Sequence, residues 1–146
     1  MSVLLIEGGR TLSGRVAVGG NKNAALPLIA ACLLTEDECV LTNVPRISDV
    51  EVMARLLVDL GAQVDGIGTS TLRIRCAKVE RDEPQSSLVG RLRGSVLLLG
   101  PMLARRGRAR LAPPGGDFPA RRTIAMHLGA LGAGLRAFAA RGALRA

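Results

Sequence analysis

Two apolar stretches with helical spacing, each followed by a short strand-forming run, set the pattern of this chain. Ala24 to Leu34 is apolar enough for a helix and leads to Cys39-Val40-Leu41-Thr42, a candidate strand. Ser95 to Ala104 leads in the same way to Ala109-Arg110-Leu111-Ala112. A turn containing proline follows both strands. After the first turn, Ser48 or Asp49 can cap a helix whose core face is drawn from Val50, Met53, Leu56, Leu57 and Leu60. Gln63-Val64-Asp65 and Thr71-Leu72-Arg73-Ile74-Arg75 then alternate across Gly66 and Gly68, which predicts a hairpin.

Leu60-Gly61-Ala62 recurs as Leu131-Gly132-Ala133, 71 positions on, and each copy closes an apolar helical stretch with glycine. The chain thus reads as an α/β protein of repeated β-α-β-α-β-β units. Residues 1–21 form an opening strand segment and hinge, 22–80 a first repeat unit and 81–146 a second, truncated one. A single unit would expose much apolar helix surface. Repetition buries those helices against one another.

Length and composition place the chain among compact globular proteins. Its 146 residues are 48% apolar, enough for one sizeable core and too apolar for a disordered chain. No apolar run approaches the ~20 residues that span a bilayer, and the first residues carry no charged leader region, so the expected setting is the cytoplasm with no membrane partner. Cys32, Cys39 and Cys76 are odd in number and show no CxxC spacing. That favours reduced thiols over a disulfide or zinc framework.

A net charge of +8 raises nucleic acid as a partner, most of all at Arg105-Arg106-Gly107-Arg108-Ala109-Arg110. Phe118 and Phe138 are the only aromatic residues, too few for a base-stacking platform, and no zinc-finger or basic-zipper spacing occurs. The arginines fit better as a solvated surface, or as the wall of a cleft for a polyanionic small molecule.

The candidate chemistry begins at Gly19-Gly20-Asn21-Lys22-Asn23-Ala24-Ala25-Leu26-Pro27. The glycines permit a sharp turn and close approach to a ligand, and Lys22 is one of two lysines among twenty basic residues. A compact ammonium beside the free N–H groups of a helix start suits a phosphate. The plainer reading is a turn with Asn23 as a helix cap. A second segment, Gly115-Gly116-Asp117-Phe118-Pro119-Ala120-Arg121-Arg122, is a glycine-hinged polar loop before a helix, able to move as a lid or to serve only as turn and cap. His127, the only histidine, lies on an apolar helix and suits packing or hydrogen bonding better than catalysis or metal binding.

These segments, with Ile6-Glu7-Gly8-Gly9, Leu12-Ser13-Gly14, Asn43-Val44-Pro45, Asp49-Val50, Gly100-Pro101 and Pro114-Gly115-Gly116-Asp117, occur in an order that resembles the enolpyruvyl transferases. The similarity is to the UDP-N-acetylglucosamine branch (the 1-carboxyvinyltransferases), and specifically to its amino-terminal portion. Asn21-Lys22-Asn23-Ala24-Ala25-Leu26-Pro27 favours that branch over the one acting on shikimate phosphate. The resemblance implies an inside-out α/β fold, sheets outside and helices within, in which three units make a domain. Two of the three are legible here.

It also implies site roles. Lys22 and Arg122 match residues that neutralise phosphoenolpyruvate, Asn23 and Arg93 match residues that place the sugar nucleotide, and Asp117 stands at the proton-donor position. The family most often has cysteine there, and some members have aspartate. Asp117 can donate only if burial or a nearby phosphate raises its pKa, whereas Arg121 and Arg122 would lower it. Ala125 replaces the acidic residue associated with uridine recognition. The implied activity is transfer of the enolpyruvyl group from phosphoenolpyruvate to UDP-N-acetylglucosamine, the first committed step of peptidoglycan synthesis, with no cofactor and no metal. The alternatives are a catalytically silent fragment that binds a ligand or partner, and a basic nucleic-acid-binding module.

Overall fold

The computed structural model describes residues 3–115 together with Leu128, Gly129 and Leu131. Helix α1 (Lys22–Ala31) continues as a 3₁₀ turn (Cys32–Leu34) and gives way to strand β1 (Cys39–Thr42). Helix α2 (Ser48–Asp59) follows, then the hairpin strands β2 (Gln63–Asp65) and β3 (Thr71–Arg75). A short helix α3 (Ser86–Val89), a 3₁₀ segment (Arg93–Leu98) and helix α4 (Leu99–Arg106) follow.

The sheet is antiparallel in the order β1-β3-β2. Register is set by alternation: Leu72 and Ile74 of β3 face inward and are buried, while Arg73 and Arg75 face water. The inner face lies over α2, whose Val50, Met53, Leu56, Leu57 and Leu60 are each 3% exposed or less. Val52 and Ala54, off that face, are buried as well. The cause is that α1, β2, α3 and the 3₁₀ segment all pack on α2, so the helix is enclosed and not merely amphipathic. Sheet outside and helices within is the arrangement that results.

Helix α2 stops where glycine is needed. Gly61 has φ +104°, its N–H donates to the Val58 carbonyl and the Ala62 N–H to the Leu57 carbonyl, the paired bonds of a Schellman ending. The start of α2 differs from expectation. Neither Ser48 nor Asp49 caps it: the cap position is Ile47, extended and without a side-chain bond.

Two other expectations are corrected. Ala109-Arg110-Leu111-Ala112 joins no ladder; Ala109 is buried and the Arg110 N–H donates to the Asp82 carbonyl at 2.6 Å, a loop contact that replaces strand pairing. The opening segment before Lys22 forms no strand among the described residues either. Its Val3, Leu4, Leu5, Ile6, Leu12, Val16 and Val18 are at least 84% exposed. Alternation makes a strand only when a neighbouring edge supplies its hydrogen bonds.

The arginine cluster has an unforeseen use. Arg105, its side chain 17% exposed, donates to the carbonyls of Leu33, Cys76 and Ala77, and Arg106 donates to that of Val79 at 2.6 Å. Arg108 pairs with Asp82 at 2.8 Å. The guanidinium fork lets one side chain satisfy several chain ends at once. These residues fasten α4 to the 3₁₀ turn after α1 and to the segment after β3.

Candidate active site

Asn21 is extended (φ −99°, ψ 132°), and its side-chain oxygen accepts the N–H groups of Asn23 at 2.8 Å and Ala24 at 3.2 Å. The Ala25 N–H donates to the Asn21 carbonyl. Asn21, not Asn23, is therefore the cap, and it occupies the N–H groups that the sequence offered to an anion. Positive charge here comes from the Lys22 side chain. Pro27 has no N–H, so the Asn23 carbonyl lacks the donor that the fourth residue on ordinarily supplies.

The turn before α1 is seated by close backbone contact. A Cβ built on Gly20 would collide with the Asn43 carbonyl oxygen and lie 2.8 Å from Pro45 Cδ and 2.9 Å from Pro45 N. Asn43 itself takes the left-handed region, φ +55°, which asparagine tolerates better than most residues. Val44 is buried and its N–H donates to the Ser70 carbonyl at 2.9 Å. Asn43-Val44-Pro45 thus forms the seat for Gly20. Gly20→Ala should cost about 1–3 kcal/mol, because the neighbours are backbone and a proline ring that cannot swing away. Urea denaturation checks this, with Gly19→Ala as comparison; an unchanged midpoint would show that the turn is not seated there.

Lys22 Nζ meets Asp49 Oδ2 at 2.5 Å, with the two side chains 50% and 31% exposed. Asp49 is in the first turn of α2, so the carboxylate that could have capped its own helix instead reaches the start of α1. Arg93 opens the 3₁₀ segment, which packs on α1. The contact is tight: a Cβ on Gly94 would lie 3.0 Å from Leu26 Cδ1, one turn along from Lys22. Ser95 follows, fully buried, with no partner for its hydroxyl among the described residues.

Gly115, the first residue of the polar loop, is tied to the end of α3. The Gly115 N–H donates to the Val89 carbonyl at 3.2 Å, and a Cβ on Gly115 would collide with the Gly90 carbonyl oxygen. The turn leading to Arg93 therefore also anchors the loop leading to Asp117. Lys22, Asn23 and Arg93 are brought to neighbouring elements; Asp117, Arg121, Arg122 and His127 lie outside the described residues. The sequence offers Asp49 as a cap and as part of the Asp49-Val50 segment, but nothing in its local sequence marks a partner on another helix.

The thiols do not compete for the chemistry. Burial pushes the Cys32 thiol up to about 12, with Cys39 adding to the rise. Burial also raises Cys76, against the opposing pull of Arg105. Both stay protonated near neutral pH and are poor nucleophiles. Among the described residues no His, Cys, Asp and Glu group is arranged to hold a metal ion, and no helix is long and apolar enough to cross a membrane.

Residues 6–140 match the family described as EPSP synthase (3-phosphoshikimate 1-carboxyvinyltransferase). The chain belongs to this family. Among curated members of the EPSP synthase family, it is 45% identical over 127 residues to the UDP-N-acetylglucosamine 1-carboxyvinyltransferase of Bradyrhizobium diazoefficiens, covering 87% of this chain and 30% of that protein. It is 44% identical over 139 residues to the enzyme of the same name from Trichlorobacter lovleyi, covering 93% and 33%. The crystal structure of the enolpyruvyl transferase NikO from Streptomyces tendae is similar at TM-score 0.62 and 30% identity, over 73% of this chain and 25% of that one. The α/β architecture is thus that of the enolpyruvyl transferases. The chain spans about a third of the length of these curated relatives.

Proposed function

We propose that this chain carries part of the site that transfers the enolpyruvyl group of phosphoenolpyruvate to a hydroxyl of UDP-N-acetylglucosamine, in peptidoglycan synthesis. The observation that carries the reading is the convergence of three segments: the Lys22-Asn23 start of α1, the turn into Arg93 packed against Leu26, and the root of the Asp117 loop pinned on Val89-Gly90. In this reading Lys22 and Arg122 neutralise phosphoenolpyruvate, Asn23 and Arg93 place the sugar nucleotide, and Asp117 gives a proton to the methylene carbon as the sugar oxygen bonds to its neighbour. The sugar hydroxyl gives up its own proton in this addition, and loss of a proton from the resulting methyl group then expels phosphate and restores the carbon–carbon double bond. Charge neutralisation, orientation and proton transfers to and from the reacting atoms suffice for this chemistry, with no cofactor. Residues 22–80 and 81–146 are read as successive repeats of one domain.

The nucleic-acid reading loses support because Arg105, Arg106 and Arg108 are engaged within the fold. A fragment that binds without turnover keeps support from the share of its relatives that the chain spans. Calorimetry at physiological salt should show binding of UDP-N-acetylglucosamine in preference to a duplex oligonucleotide, whose contacts to surface arginines are screened. Tighter, salt-resistant oligonucleotide binding would sink the transferase reading.

A further inference from the structure

We infer that Asp49 is a positioning residue for the anion site, holding the Lys22 ammonium at the junction of α1 and α2. The inference rests on the reading of Lys22 as a phosphoenolpyruvate contact. A lysine has a flexible four-carbon stem, and Lys22 is half exposed, so nothing in its own helix fixes where the ammonium sits. The first turn of α1 contains no acidic residue. Among the described residues the carboxylate that meets it comes from the first turn of the neighbouring helix.

The placement is built by the backbone on both sides. Gly20 is seated on Asn43 and Pro45, which brings the start of α1 beside the turn that leads directly into α2. Asp49 then lies at the positive end of the α2 dipole, where a carboxylate is favoured. It does not serve that helix as a cap. A half-solvated pair of this kind adds little to stability, so stability does not account for it. One ammonium has three donors, and a single carboxylate leaves the others for an incoming anion. Ordering the stem before the ligand arrives lowers the entropy that binding must overcome.

The test is calorimetric titration of phosphoenolpyruvate into the 146-residue chain and its Lys22→Ala, Asp49→Asn and Asp49→Glu variants. Asp49→Asn should weaken binding about tenfold, the scale expected for losing the order of one long side chain. Asp49→Glu should restore most of the affinity, and the urea midpoint of both variants should stay near that of the unaltered chain. A purely structural role would move the midpoint and not the affinity. Binding that Lys22→Ala abolishes but Asp49→Asn leaves unchanged or tightens would overturn the inference alone, the last outcome meaning that Asp49 competes with the ligand. Absence of binding by the unaltered chain, or binding indifferent to Lys22→Ala, would remove the reading of Lys22 and the inference with it.

Discussion

Leu57→Ala should lower the stability of this chain by about 2–5 kcal/mol, the usual range for truncating an enclosed leucine. Leu57 is fully buried on α2, the helix on which α1, β2, α3 and the 3₁₀ segment all converge. Partners on several sides cannot all move inward to fill the space, so the lost methyl groups leave a cavity. Alanine is the best helix former, which means that any loss reports packing and not helix propensity. Val58→Ala, at a neighbouring position 48% exposed, should fall within about 0.5 kcal/mol of the unaltered chain. Denaturant midpoints for the pair decide the matter. Equal, small shifts would mean that α2 is not the enclosed helix described here.

The isolated chain should show little or no phosphate release from phosphoenolpyruvate and UDP-N-acetylglucosamine. Transfer requires two substrates to be oriented and water to be kept from the reacting carbon, which takes groups on both sides of a cleft. The chain spans about a third of the length of its curated relatives. The exposed apolar residues from Val3 to Val18 point the same way, since a surface of that kind ordinarily meets another part of a protein. The assay uses Lys22→Ala as control. Turnover that is robust and lost in Lys22→Ala would show that the chain, alone or as an oligomer, completes its own site.

Asp117 and Arg122, on which the proton and phosphate roles depend, lie outside the described residues, so the legible part of the candidate site is Lys22, Asn23 and Arg93. For Lys22 the glycine pair and the choice of lysine in a chain with only two were readable signals, whereas the roles of Asn23 and Arg93 came from the family resemblance. The surroundings of these residues were not readable. The helix N–H groups assigned to an anion are taken by Asn21, because an asparagine just before a helix satisfies those donors locally with no ligand present.

What the sequence determined by itself is whatever depends on near neighbours in the chain: the buried face of α2, the hairpin across Gly66 and Gly68, and the glycine ending at Gly61. Side-chain period and left-handed backbone are local properties, so a few consecutive residues settle them. Tertiary structure alone decided that Asp49 pairs with Lys22 and not with its own helix, that Arg105 reaches the carbonyl of Leu33 across 72 positions, and that Ala109–Ala112 joins no strand among the described residues. Each of these is a choice of partner, and a charge, a guanidinium or a strand edge takes whichever partner the packing of distant segments brings within reach.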